Sequence, residues 1–126
     1  MEYMLMFFET AEEVARRDDP NQASTYWGAW NAYVGAMRDS GCMRSGNGLQ
    51  APRTATTVRV AGGKRLVQDG PFADAKEHLG GYFVIEAPSL DVALHWAEKS
   101  PSAMKGSVEV RPVMPPHPGM GAPASS

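Results

Sequence analysis

The stretch Tyr3-Met4-Leu5-Met6-Phe7-Phe8 decides how this chain folds. Successive side chains of a strand point to opposite faces, and here both faces are apolar: Tyr3, Leu5 and Phe7 on one, Met4, Met6 and Phe8 on the other. The expectation is a central β-strand covered on each side. The run has no basic segment before it and meets Glu9 after a few residues, so it reads as a strand and not as a secretory leader.

Outward from this strand, Thr10-Ala11-Glu12-Glu13 predicts a capping box opening a short helix to about Arg17. Asp19-Pro20-Asn21-Gln22 repeats the start signal, with proline at the first helical position. In the main helix that follows, Tyr26, Trp27, Trp30, Val34 and Met37 recur at three- and four-residue spacing, and Gly41 is placed to end it. Residues 43–50 read as a glycine-interrupted, irregular strand. Thr54 to Val60 and Arg65 to Gln68 flank a glycine turn and predict a β-hairpin. A helical turn is expected over Asp74 to Leu79, ending at Gly80-Gly81, and then a strand over Tyr82 to Ile85. Ser89 caps a second helix with Leu90, Ala93, Leu94 and Ala97 as its buried stripe, and Val108, Val110 and Val113 mark the last strand. The plan is α+β, a ferredoxin-like βαβ-βαβ carrying an inserted hairpin. It occupies residues 1–113, and residues 114–126 form a proline-, glycine-, alanine- and serine-rich tail.

A chain of 126 residues has the size of one domain with a real core. Its net charge of -2 and scattered basic residues argue against nucleic acid or an anionic membrane as partner. No run approaches the ~20 apolar residues of a membrane helix. One cysteine, Cys42, supports neither an internal disulfide nor a thiolate zinc site and suits a reducing cytoplasm. His78, His95 and His117 are too dispersed for a metal site. The glycines at 46, 48, 62 and 63 make neither a phosphate loop nor a dinucleotide fingerprint, so no cofactor is expected.

Asp69 stands where a strand meets Gly70-Pro71; its carboxylate either projects as a general base or closes the turn by accepting backbone N–H bonds. His78 follows nine residues later with an intrinsic pKa suited to proton transfer, against the commoner reading as a surface histidine. Lys76 and Glu77 are adjacent, so one binds a ligand while the other makes a salt bridge, or both are solvated. On the last strand Ser107, Glu109 and Arg111 share one face, where Glu109 and Arg111 line a dimer cleft or remain ordinary surface charges.

From Asp69-Gly70-Pro71-Phe72 through Lys76-Glu77 and Leu79-Gly80-Gly81-Tyr82, with Tyr3-Met4-Leu5 before and Gly106 to Pro112 after, the chain resembles the DGPF branch of the YCII-related family over residues 1–113. The resemblance implies a homodimeric α/β barrel, two ferredoxin-like sheets enclosing a small-molecule cleft. It implies a lyase- or dehalogenase-like acid–base chemistry, since some relatives, a dehydrochlorinase among them, use a histidine and an aspartate there. On that footing Asp69 and His78 are the catalytic candidates, and Lys76, Glu77, Tyr82, Glu109 and Arg111 the ligand-binding ones. The family's histidine at the start of the main helix has no counterpart between Gln22 and Asp39, which leaves His78 to replace it from another direction. Other DGPF proteins accompany extracytoplasmic-function sigma factors, and the alternative they imply is a regulatory protein with a protein partner.

Overall fold

The computed structural model describes residues 1–71 and 75–116. Phe72 and Asp74, within the motif, and His117 in the tail lie outside the described residues. Strand β1 (Glu2–Thr10) leads into α1 (Ala11–Asp18) and the long α2 (Ala23–Ser40). Then come β2 (Met43–Gly48), the hairpin β3 (Thr56–Ala61) and β4 (Lys64–Asp69), β5 (Glu77–Glu86), α3 (Leu90–Glu98), the short α4 (Pro101–Lys105) and β6 (Ser107–Pro112). The main sheet is antiparallel in the order β2-β5-β1-β6, the ferredoxin-like arrangement expected. A single chain leaves this sheet open, with no closed barrel.

Local signals explain most boundaries. The Thr10 side chain accepts from the Glu13 amide at 3.3 Å, which starts α1. Gly41 adopts a left-handed φ of 77° and ends α2 after 18 residues, about five turns. Gly62 and Gly63, at φ 57° and 75°, form the tight turn of the hairpin. Pro101, beyond the end of α3, opens α4, where its missing N–H costs nothing.

The core lies between the helices and one face of the sheet. Tyr3, Leu5, Phe7 and Ile85 are buried there with Tyr33 and Met37 of α2 and Ala93 and Ala97 of α3. Phe7 is the hub: its ring meets Trp30, Tyr33 and Phe83 edge-on at 5.1, 6.0 and 5.4 Å. Met4, Met6 and Phe8 point to the opposite face, where no helix lies, and are half-buried.

Three sequence readings are corrected. Residues 77–79 belong to β5 and not to a helical turn, because Glu77, His78 and Leu79 pair with Thr10, Glu9 and Phe8 of β1. Gly80-Gly81 is consequently inside a strand, at an irregularity in that ladder opposite Phe7 and Phe8. The stripe of α3 is rotated, with Leu90 and Leu94 exposed while Val92 and Trp96 pack beside Ala93 and Ala97. On α2, Trp27 is exposed and Tyr33 takes the inward place, its hydroxyl donating to the Trp96 carbonyl at 2.7 Å.

Candidate functional site

Continuing the alternation of Tyr3, Leu5 and Phe7 brings Glu9 to the helix-facing side of β1, where it is 4% exposed. A buried carboxylate needs partners, and two helices supply them. Tyr26, on the first turn of α2, donates its hydroxyl to Glu9 Oε2. Arg17, on the last turn of α1, holds Nη1 at 3.6 Å from Glu9 Oε1 and donates from Nη2 to the Leu49 carbonyl at 2.9 Å. Its guanidinium also lies 5.3 Å from the centre of the Trp27 ring. Burial, followed by the hydrogen bond to Glu9 and the Glu9 charge, raises the Tyr26 phenol above its ordinary pKa, so Tyr26 stays protonated as the donor.

This trio closes one end of a cavity of about 380 Å³ between α2 and the β2–β5 side of the sheet. Phe7, Trp30 and Phe83 form aromatic walls, and Gly46, Gly48, Gly80 and Gly81 form the floor. The glycines create the space. A Cβ at position 46 would stand 2.0 Å from the Phe83 ring, and one at position 80 would stand 2.4 Å from Glu9 Oε1. At position 81 the obstacle is backbone, with Asn47 O at 2.9 Å. The arrangement can hold a planar molecule against aromatic rings while a carboxylate and a phenol share a proton at its edge.

The sequence-predicted residues fall into three places. Of the seven, Tyr82 alone lines the cavity, through β5, and its hydroxyl accepts from Asn47 Nδ2 at 3.0 Å. His78 is half-buried and opposite Glu9 in the β1–β5 register. Glu77, Tyr82, Glu109 and Arg111 occupy strand positions of the open sheet face: Glu109 and Arg111 are opposite Met6 and Met4, and Glu77 accepts from Ser107 Oγ at 2.5 Å. Arg111 donates to Glu109 at 2.5 Å. Asp69, at the end of the exposed hairpin, and the exposed Lys76 do not line the cavity.

Sequence reasoning missed Glu9, Arg17 and the role of the glycines. For Glu9 the signal was present, since it is the next period-two position of a buried strand face. For the glycines it was not, because which residue they oppose is settled by strand register.

A profile of the YCII-related domain matches residues 1–116. An uncharacterised protein of Rhizobium meliloti (strain 1021) is 45% identical over 67 residues, which is 52% of this chain and 54% of that protein. The match thus spans about half the length of that curated relative. Among solved structures, 5-chloro-2-hydroxyhydroquinone dehydrochlorinase from Burkholderia phenoliruptrix AC1100, in complex with 2,5-dihydroxybenzoquinone, aligns with a TM-score of 0.52 and 16% identity. The alignment covers 90% of this chain and 94% of that one. At that identity the likeness concerns the fold alone, which it supports as α+β with helices over an antiparallel sheet. Among the described residues no helix is long and apolar enough to cross a membrane.

Proposed function

The chain belongs to the YCII-related family, and we propose that it binds and transforms a small planar phenolic molecule by acid–base chemistry in the Glu9 cavity. The observation that carries this reading is the buried Glu9–Tyr26 pair opening onto an aromatic, glycine-floored space. Glu9 accepts a hydroxyl proton from the ligand. Tyr26 holds the carboxylate and returns a proton as charge develops, and Arg17 balances the Glu9 charge throughout. A lyase- or dehalogenase-like outcome follows if the returned proton goes to the ring carbon that bears chlorine, giving a ring ketone, and loss of a second hydroxyl proton then breaks the C–Cl bond and expels chloride, so that the net change is loss of HCl. The dehydrochlorinase with the same fold lends this outcome support.

The test is chloride release and ultraviolet absorbance with chlorinated hydroquinones, comparing native protein with Glu9→Gln. The amide keeps the size and can still accept from Tyr26 but cannot take a proton, so turnover should fall about 10²- to 10⁴-fold. Equal turnover by Glu9→Gln would remove the reading. Asp69→Ala and His78→Gln, assayed beside it, test the general-base roles expected from the motif. Native protein that carries a sigma factor and turns over none of these compounds would favour the regulatory alternative.

The reading includes a homodimer. Met4, Met6, Phe8 and Val84 share the open sheet face with Tyr82, Glu109 and Arg111, and leaving apolar surface wet costs about 25 cal/mol for each Å². A second copy seated there offsets that cost with one self-complementary patch and turns the polar residues toward a shared cleft. Sedimentation at micromolar concentration is the check, and a stable monomer would remove the shared cleft without touching the Glu9 cavity.

A further inference from the structure

The charges that line the Glu9 cavity do not cancel. Glu9, Arg17 and Arg38 are its charged residues, and the first two are already engaged with each other. Arg17 is further occupied by the Leu49 carbonyl and the Trp27 ring. The Arg38 guanidinium has no ion pair and no hydrogen-bond partner among the described residues. One positive charge is therefore left over, at a definite place.

That place is set by α2. Tyr26, Trp30, Val34 and Arg38 follow one another at four-residue spacing and all line the cavity, so they form one stripe along the helix. Tyr26 at the first turn is committed to Glu9, and Arg38 is twelve residues further on, roughly 18 Å along the axis at 1.5 Å per residue. The cavity is thus two-ended, with a proton-accepting end at Glu9, a cationic end at Arg38, and Trp30 and Val34 between them. Helical side chains lean toward the N-terminus, so the reach of Arg38 back along the stripe shortens that span.

We propose that the ligand is a hydroxylated aromatic acid, its hydroxyl turned to Glu9 and its carboxylate seated on Arg38. The inference rests on the reading of the Glu9 cavity as the ligand site and names the substrate class of that site. A guanidinium fork matches a carboxylate in two parallel hydrogen bonds, and a planar ring fits between an aromatic wall and a glycine floor. A neutral hydroquinone satisfies the Glu9 end and leaves Arg38 solvated.

Two probes of similar shape separate these cases, 2,5-dihydroxyphenylacetate with its acidic arm and methylhydroquinone without it. Binding is read from quenching of tryptophan fluorescence, since Trp27 and Trp30 line the cavity. The acid is expected to bind at least tenfold more tightly, to weaken as salt is added, and to lose its advantage in Arg38→Gln but keep part of it in Arg38→Lys. Equal binding of the two probes, or an advantage that survives in Arg38→Gln, overturns the assignment of Arg38 while the Glu9 cavity stands. Binding of neither probe, or binding that persists when Val34→Trp fills the cavity, overturns the cavity and the acid together.

Discussion

The two long helices over the sheet cover it in opposite ways. Helix α3, beside β1 and β6, buries Ala93 and Ala97, so small side chains on the helix meet large ones on the strands, Leu5 of β1 and Val108 and Val110 of β6 in the same cluster. Helix α2 presents Tyr26, Trp30 and Tyr33, while the strands on its side offer Gly46, Gly48, Gly80 and Gly81. In the first half the small helix side chains let helix and strands meet in the core, and the space that remains, beside Ala97 and Val108, is a groove along α3 and β6. In the second, the rings hold the helix away from a floor that has no side chains, and the cavity is what remains. A binding site in this fold needs no added element, only a reversal of which layer carries the bulk.

The largest effect should come from challenging the closed half. Ala93 is fully buried, and Ala93→Leu forces three further carbon atoms into close-packed space, at an expected cost of about 3 kcal/mol in urea unfolding. The matched change on α2, Val34→Leu, adds one methylene beside a cavity and should cost under ~1 kcal/mol. Equal costs would mean that the two halves are packed alike and that the cavity is not a durable feature of the fold.

The glycine floor gives a smaller and more local contrast. Gly81→Ala pushes a methyl against the Asn47 carbonyl at 2.9 Å and Gly48 Cα at 3.2 Å, both backbone atoms that cannot rotate away. A loss of about 1–2 kcal/mol is expected. Gly48→Ala meets nothing within 4 Å, so thermal unfolding should shift little, or upward as the unfolded chain loses freedom. If Gly81→Ala proves as harmless as Gly48→Ala, close approach of β2 and β5 is not what selects glycine at position 81.

These contrasts also mark what was legible in the residues alone. Alternation in β1, the Thr10 cap, Gly41 at the end of α2 and the Gly62-Gly63 turn are local signals, and each produced its element. The α+β plan followed from their order, and the family from the motif around Asp69. The cavity was not legible, because it arises from pairing: Gly46 matters since it is opposite Phe83, and Gly81 since it is opposite Phe7 and Gly48. The same non-local pairing drew 77–79 into β5, where a pair of glycines had read as the end of a helix. Helix phase was legible only to within a residue or two, enough to find α2 but not to choose Tyr33 over Trp27. Site residues sought near the motif were therefore sought in the hairpin and its exit, while the most deeply buried carboxylate among the described residues stood at the end of the strand that opened the reading.

The smallest expected effect separates the two helices at their starts. Helix α3 is capped by a hydroxyl, with Ser89 Oγ accepting from the Val92 amide at 3.3 Å, and a hydroxyl does not titrate in acid. Helix α2 has no side-chain cap at Gln22, and in the turn ahead of it the acceptor is a carboxylate: Asp19 takes hydrogen bonds from the Asn21 amide at 2.9 Å and from Gln22 Nε2 at 2.8 Å. The Asn21 bond first, then the Gln22 bond, hold its pKa below the ordinary 3.8. The folded state thus binds this proton less readily than the unfolded chain, so the contribution of Asp19 is complete above the unfolded value and is lost as pH falls through the folded one. The difference in stability between native protein and Asp19→Asn should therefore be constant from neutral pH to about pH 5 and shrink at lower pH. In amide spectra, the Asn21 and Gln22 signals should move with a midpoint below 3.8 while Val92 stays still. A midpoint at or above 3.8 would show that Asp19 makes no such bonds in solution, and that the cavity-bearing helix starts no differently from its close-packed neighbour.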